Sequence, residues 1–193
     1  MPRVVVIGPP GSGKTTVAKE LSRSFGLTHI ELDAVLHGPD GIESSDEEFV
    51  KAVLPELESD SWVVDGWHER KLGTLALERA DVAVFLDPPL LVMCARLLRR
   101  TLPEILLRKE LWNRNRQTWR GAFNGRSSLF GYALQRHGDL RRRVPRLREE
   151  PRLDHLEWVR LAGRRDVRVW LCRVRSVGVH TQARRRETLG EKA

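Results

Sequence analysis

The sequence predicts an α/β fold: a three-layer sandwich with a five-stranded parallel sheet flanked by helices, and a helical lid inserted at one rim. Three observations carry this. Short apolar runs alternate with helix-period segments, which implies parallel strands joined by right-handed crossovers. The pattern G-x-x-x-x-G-K-[ST], residues 8–15, lies directly after the first apolar run and directly before the first helical pattern. Gly8, Asp33, Asp65 and Asp87 each stand just past an apolar run. In a parallel sheet that puts all four on the rim where ligands gather.

The elements follow in order. Val4-Val5-Val6-Ile7 is a strand. Val17, Leu21 and Phe25 recur every four residues and give a first helix its apolar face, with Gly26 suited to the closing turn. Thr28 to Leu32 reads as a second strand ending at Asp33, followed by a loop over 37–44. Ser45-Asp46-Glu47-Glu48 is a capping box, and Pro55 is expected to kink or end that helix early. Ser61 to Val64 is a third strand ending at Asp65-Gly66, and a short helix is expected around Leu72 to Arg79. Val82 to Leu86 is a fourth strand, and Asp87-Pro88-Pro89 after it reads as a turn. Leu90 to about Arg148 is helical, with breaks expected near Leu102-Pro103 and Gly121 to Gly125. Leu156 to Leu161 is a fifth strand, and a last helix is expected from about Arg164 to Cys172. This divides the chain into one domain over 1–172, with its lid at about 96–148. A basic tail, 173–193, is expected to be partly disordered.

The net charge of +8 hides a division. Residues 1–95 hold 8 basic and 16 acidic side chains, and residues 96–193 hold 26 and 10. Of the 34 basic residues 28 are arginine, which suits phosphate or nucleic-acid binding and equally a solvated helix surface. The N-terminal apolar stretch is too short for a signal-peptide core, and no segment reaches the length of a membrane span. Cys94 and Cys172 lack metal-ligand spacing and read as buried thiols. The expectation is a cytoplasmic protein with no membrane partner.

The chemistry is that of a phosphate site. In Gly8-Pro9-Pro10-Gly11-Ser12-Gly13-Lys14-Thr15-Thr16, backbone N–H groups converge on an anion at a helix N-terminus. Lys14 would reach the β- and γ-phosphates of ATP, and the Thr15 hydroxyl would help hold Mg²⁺. Asp65 is the candidate magnesium-organising carboxylate. Asp33 faces where an acceptor would arrive, as hydrogen-bond acceptor, general base or neighbour of the metal's water shell. Arg96, Arg99 and Arg100, then Arg108, Arg114, Arg116 and Arg120, form a basic helical excursion. From it Arg100 and Arg116 are taken as the arginines that close on the transferring phosphate. Trp112 and Trp119 fit lid packing, and His68 stands three residues past Asp65.

With these residues assembled, the chain resembles the adenylate-kinase-like branch of P-loop kinases. Within it, the chain is similar to bacterial proteins labelled "DNA topology modulation protein" or "adenylate kinase and related kinases". The carrying segments are GPPGSGKTT at 8–16, HIELD at 29–33, WVVDG at 62–66, LERADVAVFLDPP at 77–89, ELWNRNRQ at 110–117 and HLEWVRLAGRRDVRVWL at 155–171. The resemblance implies a P-loop NTPase core, ATP·Mg²⁺ as donor, a small-molecule acceptor and a helical lid. The segment DGWHER at 65–70 is similar to the D-G-F-P-R stretch of adenylate kinases, whose arginine grips the acceptor nucleotide. On that basis Arg70 is the candidate acceptor-binding residue. The proline is absent and Arg70 sits one residue later, so the resemblance does not fix AMP as acceptor, and a nucleotide, a nucleoside or another hydroxylated metabolite stays open. The rival reading is a non-enzymatic ATP-binding regulatory module whose basic half binds nucleic acid. No helix-turn-helix, zinc spacing or aromatic strand pair supports it.

Overall fold

A computed structural model describes residues 2–36, 44–106 and 128–177. Five strands, β1 (Arg3–Ile7), β2 (Thr28–Glu31), β3 (Trp62–Asp65), β4 (Val82–Leu86) and β5 (Glu157–Leu161), form one parallel sheet in the order β2-β3-β1-β4-β5. The chain leaves central β1 for one edge and returns to the other side, so the strand order reverses at the tip of β1. A crevice opens at such a point.

Alternation along the strands sorts the core into two layers. Val5, Ile7, Trp62, Val64, Ala83 and Phe85 face one side, where they meet α2 (Leu32–Leu36), α3 (Asp46–Leu57), α5 (Leu75–Arg79) and α7 (Leu129–Leu147). Val4, Val6, Val63, Val82, Val84 and Leu86 face the other, against α1 (Lys14–Phe25) and α8 (Arg164–Val177). Between these helices run α4 (Glu69–Leu72), α6 (Leu90–Leu106) and a 3-10 turn at Pro151–Leu153. Both faces of β1, β3 and β4 are buried, which explains the near-continuous apolar runs of the sequence.

Several expectations are corrected. The second strand ends at Glu31, and Asp33 lies in the first turn of α2, where a carboxylate is favoured by the helix dipole. The capping box forms, with Ser45 Oγ accepting from Glu48 N–H and Glu48 accepting from Ser45 N–H. Pro55 does not stop α3, which ends at Leu57. Pro103 likewise lies inside α6. The hydrogen bond it forgoes would run to the Arg99 carbonyl, on an exposed residue of the helix. The region of the third helix divides into α4 and α5 at Gly73. The final helix continues past Cys172 to Val177 because Val174 is buried against α1 and the sheet. Cys172 is exposed and Cys94 half-buried, so the buried-thiol reading fails. The centre of the expected lid, 107–127, with Arg108, Arg114, Arg116, Arg120, Trp112 and Trp119, lies outside the described residues, as does the tail beyond 177. No helix of the described residues is long and apolar enough to cross a membrane.

Asp87 is more than a turn former. Its side chain is 1% exposed and accepts from Arg141 Nε of α7 at 2.7 Å and from Arg160 Nε of β5 at 2.9 Å. His137 Nε2 stands 3.9 Å from the same carboxylate and 3.1 Å from the Pro88 carbonyl. Burial alone would raise the Asp87 pKa. The two guanidinium hydrogen bonds outweigh it, and the group titrates below the usual carboxylate range. The hub therefore pins α7 to the carboxyl tips of β4 and β5.

Since the folded pKa lies below the unfolded value of about 3.9, the hub stabilises the fold above that value. The contribution is lost as pH falls through the lower folded value. Asp87→Asn is expected to cost about 1–3 kcal/mol at pH 7, discounted because both arginines are half in water. Urea denaturation at pH 7 and below pH 4 checks this: the gap between wild type and variant should shrink in acid.

Candidate functional site

The tip of β1 feeds a turn in which Ser12 N–H donates to the Pro9 carbonyl at 3.1 Å, and α1 starts at Lys14. Gly11 and Gly13 make the turn possible. Gly11 has φ +78° and sits where a Cβ would come 2.9 Å from the Met93 carbonyl oxygen. Gly13, with φ +100°, is the residue before α1 and supplies no side-chain cap. The first amides of α1 are thus left without a side-chain acceptor from Gly13, at the positive end of a three-turn helix, which is an anion site. A Cβ at Gly13 would meet nothing within 4 Å, so the loop is open on that side.

Lys14 folds over the loop, Nζ donating to the Pro9 carbonyl at 3.3 Å. Burial pushes its pKa down, while Asp33 and Asp65 act in the opposite direction and Arg100 and Arg136 reinforce the fall. Arg100 is exposed near the middle of α6, within electrostatic reach of Lys14. One turn before it, Arg96 Nη1 donates to the Ser12 carbonyl at 3.0 Å and ties α6 to the phosphate loop.

Asp65 ends β3 beneath the loop, 4% exposed, with His29 Nε2 of β2 at 4.0 Å. Burial raises its pKa first. The Thr15 hydroxyl, Lys14 and His29 lower it, and Asp33 raises it. Its Oδ1 is buried and meets no hydrogen-bond partner. An unsatisfied buried carboxylate oxygen beside a threonine hydroxyl fits a hydrated magnesium ion, which takes few protein ligands and fills its octahedron with water and phosphate.

On the other side of Lys14 a cleft of about 390 Å³ opens between α2, the loop after β3 and α7. Asp33, His68, Trp67, Tyr132 and Arg136 line it together with Lys14. His68 Nε2 lies 2.9 Å from Asp33 Oδ1, and its ring meets the buried Phe49 edge-on at 5.8 Å. Arg136 Nη2 donates to the Trp67 carbonyl at 2.9 Å, with the guanidinium 5.5 Å from the Trp67 ring centroid. A second, wider hollow lies between the start of α6 and the loop after β5, at Pro89, Val92, Arg96, Ala162, Gly163 and Arg164.

The fold thus brings Gly8 to Thr16, Asp33 and Asp65 to one rim, with Arg100 near Lys14. Arg70 is exposed on α4 and does not line the cleft, and Arg116 lies outside the described residues. Arg136 and Tyr132 line that cleft, unforeseen from the sequence. Their signal was the four-residue spacing of Tyr132, Arg136 and Leu140, which places all three on one helix face.

The family described as "AAA domain" matches residues 4–119. The cytidylate kinase of Ignicoccus hospitalis is 33% identical over 140 residues, covering 60% of this chain and 79% of that protein. The cytidylate kinase of Haloquadratum walsbyi is 30% identical over 115 residues, 50% of this chain and 57% of that protein. Adenylate kinase 8 of Xenopus tropicalis is 29% identical over 118 residues, 50% of this chain and 24% of that protein. Among solved structures, a gluconokinase from Sinorhizobium meliloti 1021 aligns with a TM-score of 0.50 at 23% identity, over 91% of this chain and 94% of that one. The shikimate kinase from Acinetobacter baumannii in complex with shikimate gives 0.53 at 17%, over 90% of each chain. These two show a shared P-loop α/β fold. The family match and the Ignicoccus hospitalis relative go further: the chain carries the AAA domain and belongs to the P-loop kinases.

Proposed function

We propose that the protein is an ATP-dependent kinase that transfers the γ-phosphoryl group of ATP·Mg²⁺ to a small-molecule acceptor, in the cytoplasm where ATP is supplied. The observation that carries this reading is a single rim. It holds an amide-lined loop at a helix N-terminus, a buried carboxylate with an unsatisfied oxygen, and a polar cleft on the far side of Lys14. Phosphoryl transfer needs positioning and charge neutralisation, and each part serves one of these. The loop 8–16 would cradle the phosphates. Lys14 would hold the β- and γ-oxygens; burial lowers its pKa, and Asp33 and Asp65 oppose that fall. Thr15 and Asp65 would hold Mg²⁺, which supplies charge neutralisation on the phosphates. The hollow lined by Pro89, Val92, Arg96 and Ala162 to Arg164 would take the donor base. Arg100, and Arg116 from the lid, would meet charge on the transferring group. Within the P-loop kinases we assign the chain to the topology-modulation type, on the motifs at 29–33, 62–66 and 77–89.

The charge distribution favours this over a nucleic-acid module. Arg141, Arg142, Arg143, Arg152, Arg160 and Arg175 of the basic half all pair with carboxylates of this chain, namely Asp87, Asp139, Glu69, Glu78, Glu150 and Glu20. Those pairs lower the number of cations open to a phosphate backbone.

Isothermal calorimetry with ATP and magnesium, beside ADP release in the presence of a metabolite mixture, tests the reading. ATP should bind, and ADP release should depend on an added acceptor; no ATP uptake by folded protein would end the assignment. Lys14→Ala should lower turnover by about 10²–10³-fold while leaving the melting temperature nearly unchanged. Gly11→Ala forces a Cβ into a left-handed backbone against a carbonyl, at about 1–3 kcal/mol. It should lower the melting temperature and weaken ATP binding together. Asp65→Asn should raise the magnesium concentration for half-maximal activity by about tenfold or more, read by titrating the metal at fixed ATP.

A further inference from the structure

Resting on the kinase reading, the acceptor cleft narrows the substrate. We propose that the acceptor is a small hydroxylated anion whose alcohol is phosphorylated at Asp33 and whose carboxylate or phosphate is gripped by Arg136. Four observations converge on this. Asp33 and Lys14 line the same cleft, so the nucleophile that meets the γ-phosphate also meets a carboxylate. A phosphate monoester arriving as nucleophile would be repelled there, whereas an alcohol would donate its proton to that carboxylate. The Asp33 oxygen is aimed by His68, whose Nε2 is 2.9 Å away and whose ring is fixed by Phe49 at 0% exposure. His68 is thus a positioning residue acting through Asp33.

Arg136 supplies the second half. Its hydrogen bond goes to a neutral carbonyl and its guanidinium lies over an indole 5.5 Å from the ring centroid, and neither neutralises its charge. Both contacts orient the guanidinium, leaving its other N–H groups for a planar or tetrahedral anion. Trp67 and Leu140 provide an apolar floor for the acceptor's carbon skeleton.

The reaction balances simply. The acceptor hydroxyl oxygen forms a bond to the γ-phosphorus as the bond from that phosphorus to the bridging oxygen breaks. ADP leaves with the bridging electron pair, and the hydroxyl proton passes to Asp33.

The test offers the full chain, with ATP and magnesium, four pools at equal concentration: hydroxylated carboxylates, sugar phosphates, uncharged polyols and nucleoside monophosphates. ADP release is followed, and the product linkage is read by phosphorus NMR. The expected result is stimulation by one of the first two pools, which separates a carboxylate from a phosphate anchor, with an ester resonance in the product. Arg136→Gln should raise KM for that acceptor by about 10–100-fold with kcat kept within threefold. Arg136→Lys should give a smaller rise, and it serves if the first variant melts early. Asp33→Asn should lower kcat by about 10²–10⁴-fold with KM little changed, and His68→Ala should lower kcat in the same sense. Stimulation by polyols or nucleoside monophosphates alone, by no pool at all, or an anhydride product overturns the proposal. In those cases Lys14-dependent ATP binding leaves the kinase reading standing, while its loss removes both.

Discussion

Burial of β1 on both faces and pairing on both edges is the constraint on which the rest depends. Val4, Val5 and Val6 are 0% exposed, and the strand is held by β3 on one side and β4 on the other. A strand so enclosed can end only at the rim, and it must leave the sheet by a sharp turn before α1 begins. The phosphate loop is that turn. Its glycines answer to two local facts, a left-handed backbone and the Met93 carbonyl of α6, which leaves no room for a Cβ at Gly11.

The same geometry sorts charge. Parallel strands bring their carboxyl ends to one edge, so acids that are far apart in sequence become neighbours there. Asp65 sits deep, with His29, Thr15 and Lys14 around it, and carries an unsatisfied oxygen. Asp87, on the far side of β1, has the opposite fate: two arginines saturate it and it serves as an anchor. One fold therefore uses two buried carboxylates differently, and the difference lies in which cations reach them. The anchor bears on the site, because Arg141 on Asp87 and Arg136 in the cleft stand little more than one turn apart on α7.

The cleft is assembled from three remote pieces: Asp33 at the start of α2, Trp67 and His68 after β3, and Tyr132 and Arg136 on α7. Asp33 and the Trp67-His68 pair fall in segments the sequence singles out, whereas Tyr132 and Arg136 belong to no motif. Phe49 of α3 and the Trp67 carbonyl fix His68 and Arg136, so the site's polar groups are held by the hydrophobic core and the backbone.

Much of the fold was legible in the sequence, because burial on two faces leaves continuous apolar runs and a parallel sheet leaves acids at their ends. The phosphate loop was legible for a related reason: its glycines and lysine answer to backbone geometry within eight residues. Helix boundaries at Pro55, Pro103 and Cys172 were misread, since a proline near a helix end or one turn past an exposed residue costs little, and Val174 found a tertiary partner. What only the tertiary structure decided was the pairing of distant charges. Arg70 and Arg136 are alike as letters, yet one points to solvent on α4 and the other lies over Trp67. Asp87 looks like a turn residue until Arg141 and Arg160 arrive from more than fifty residues away. Local sequence specifies backbone conformation within a few residues, whereas the partner of a charge is set by packing between elements.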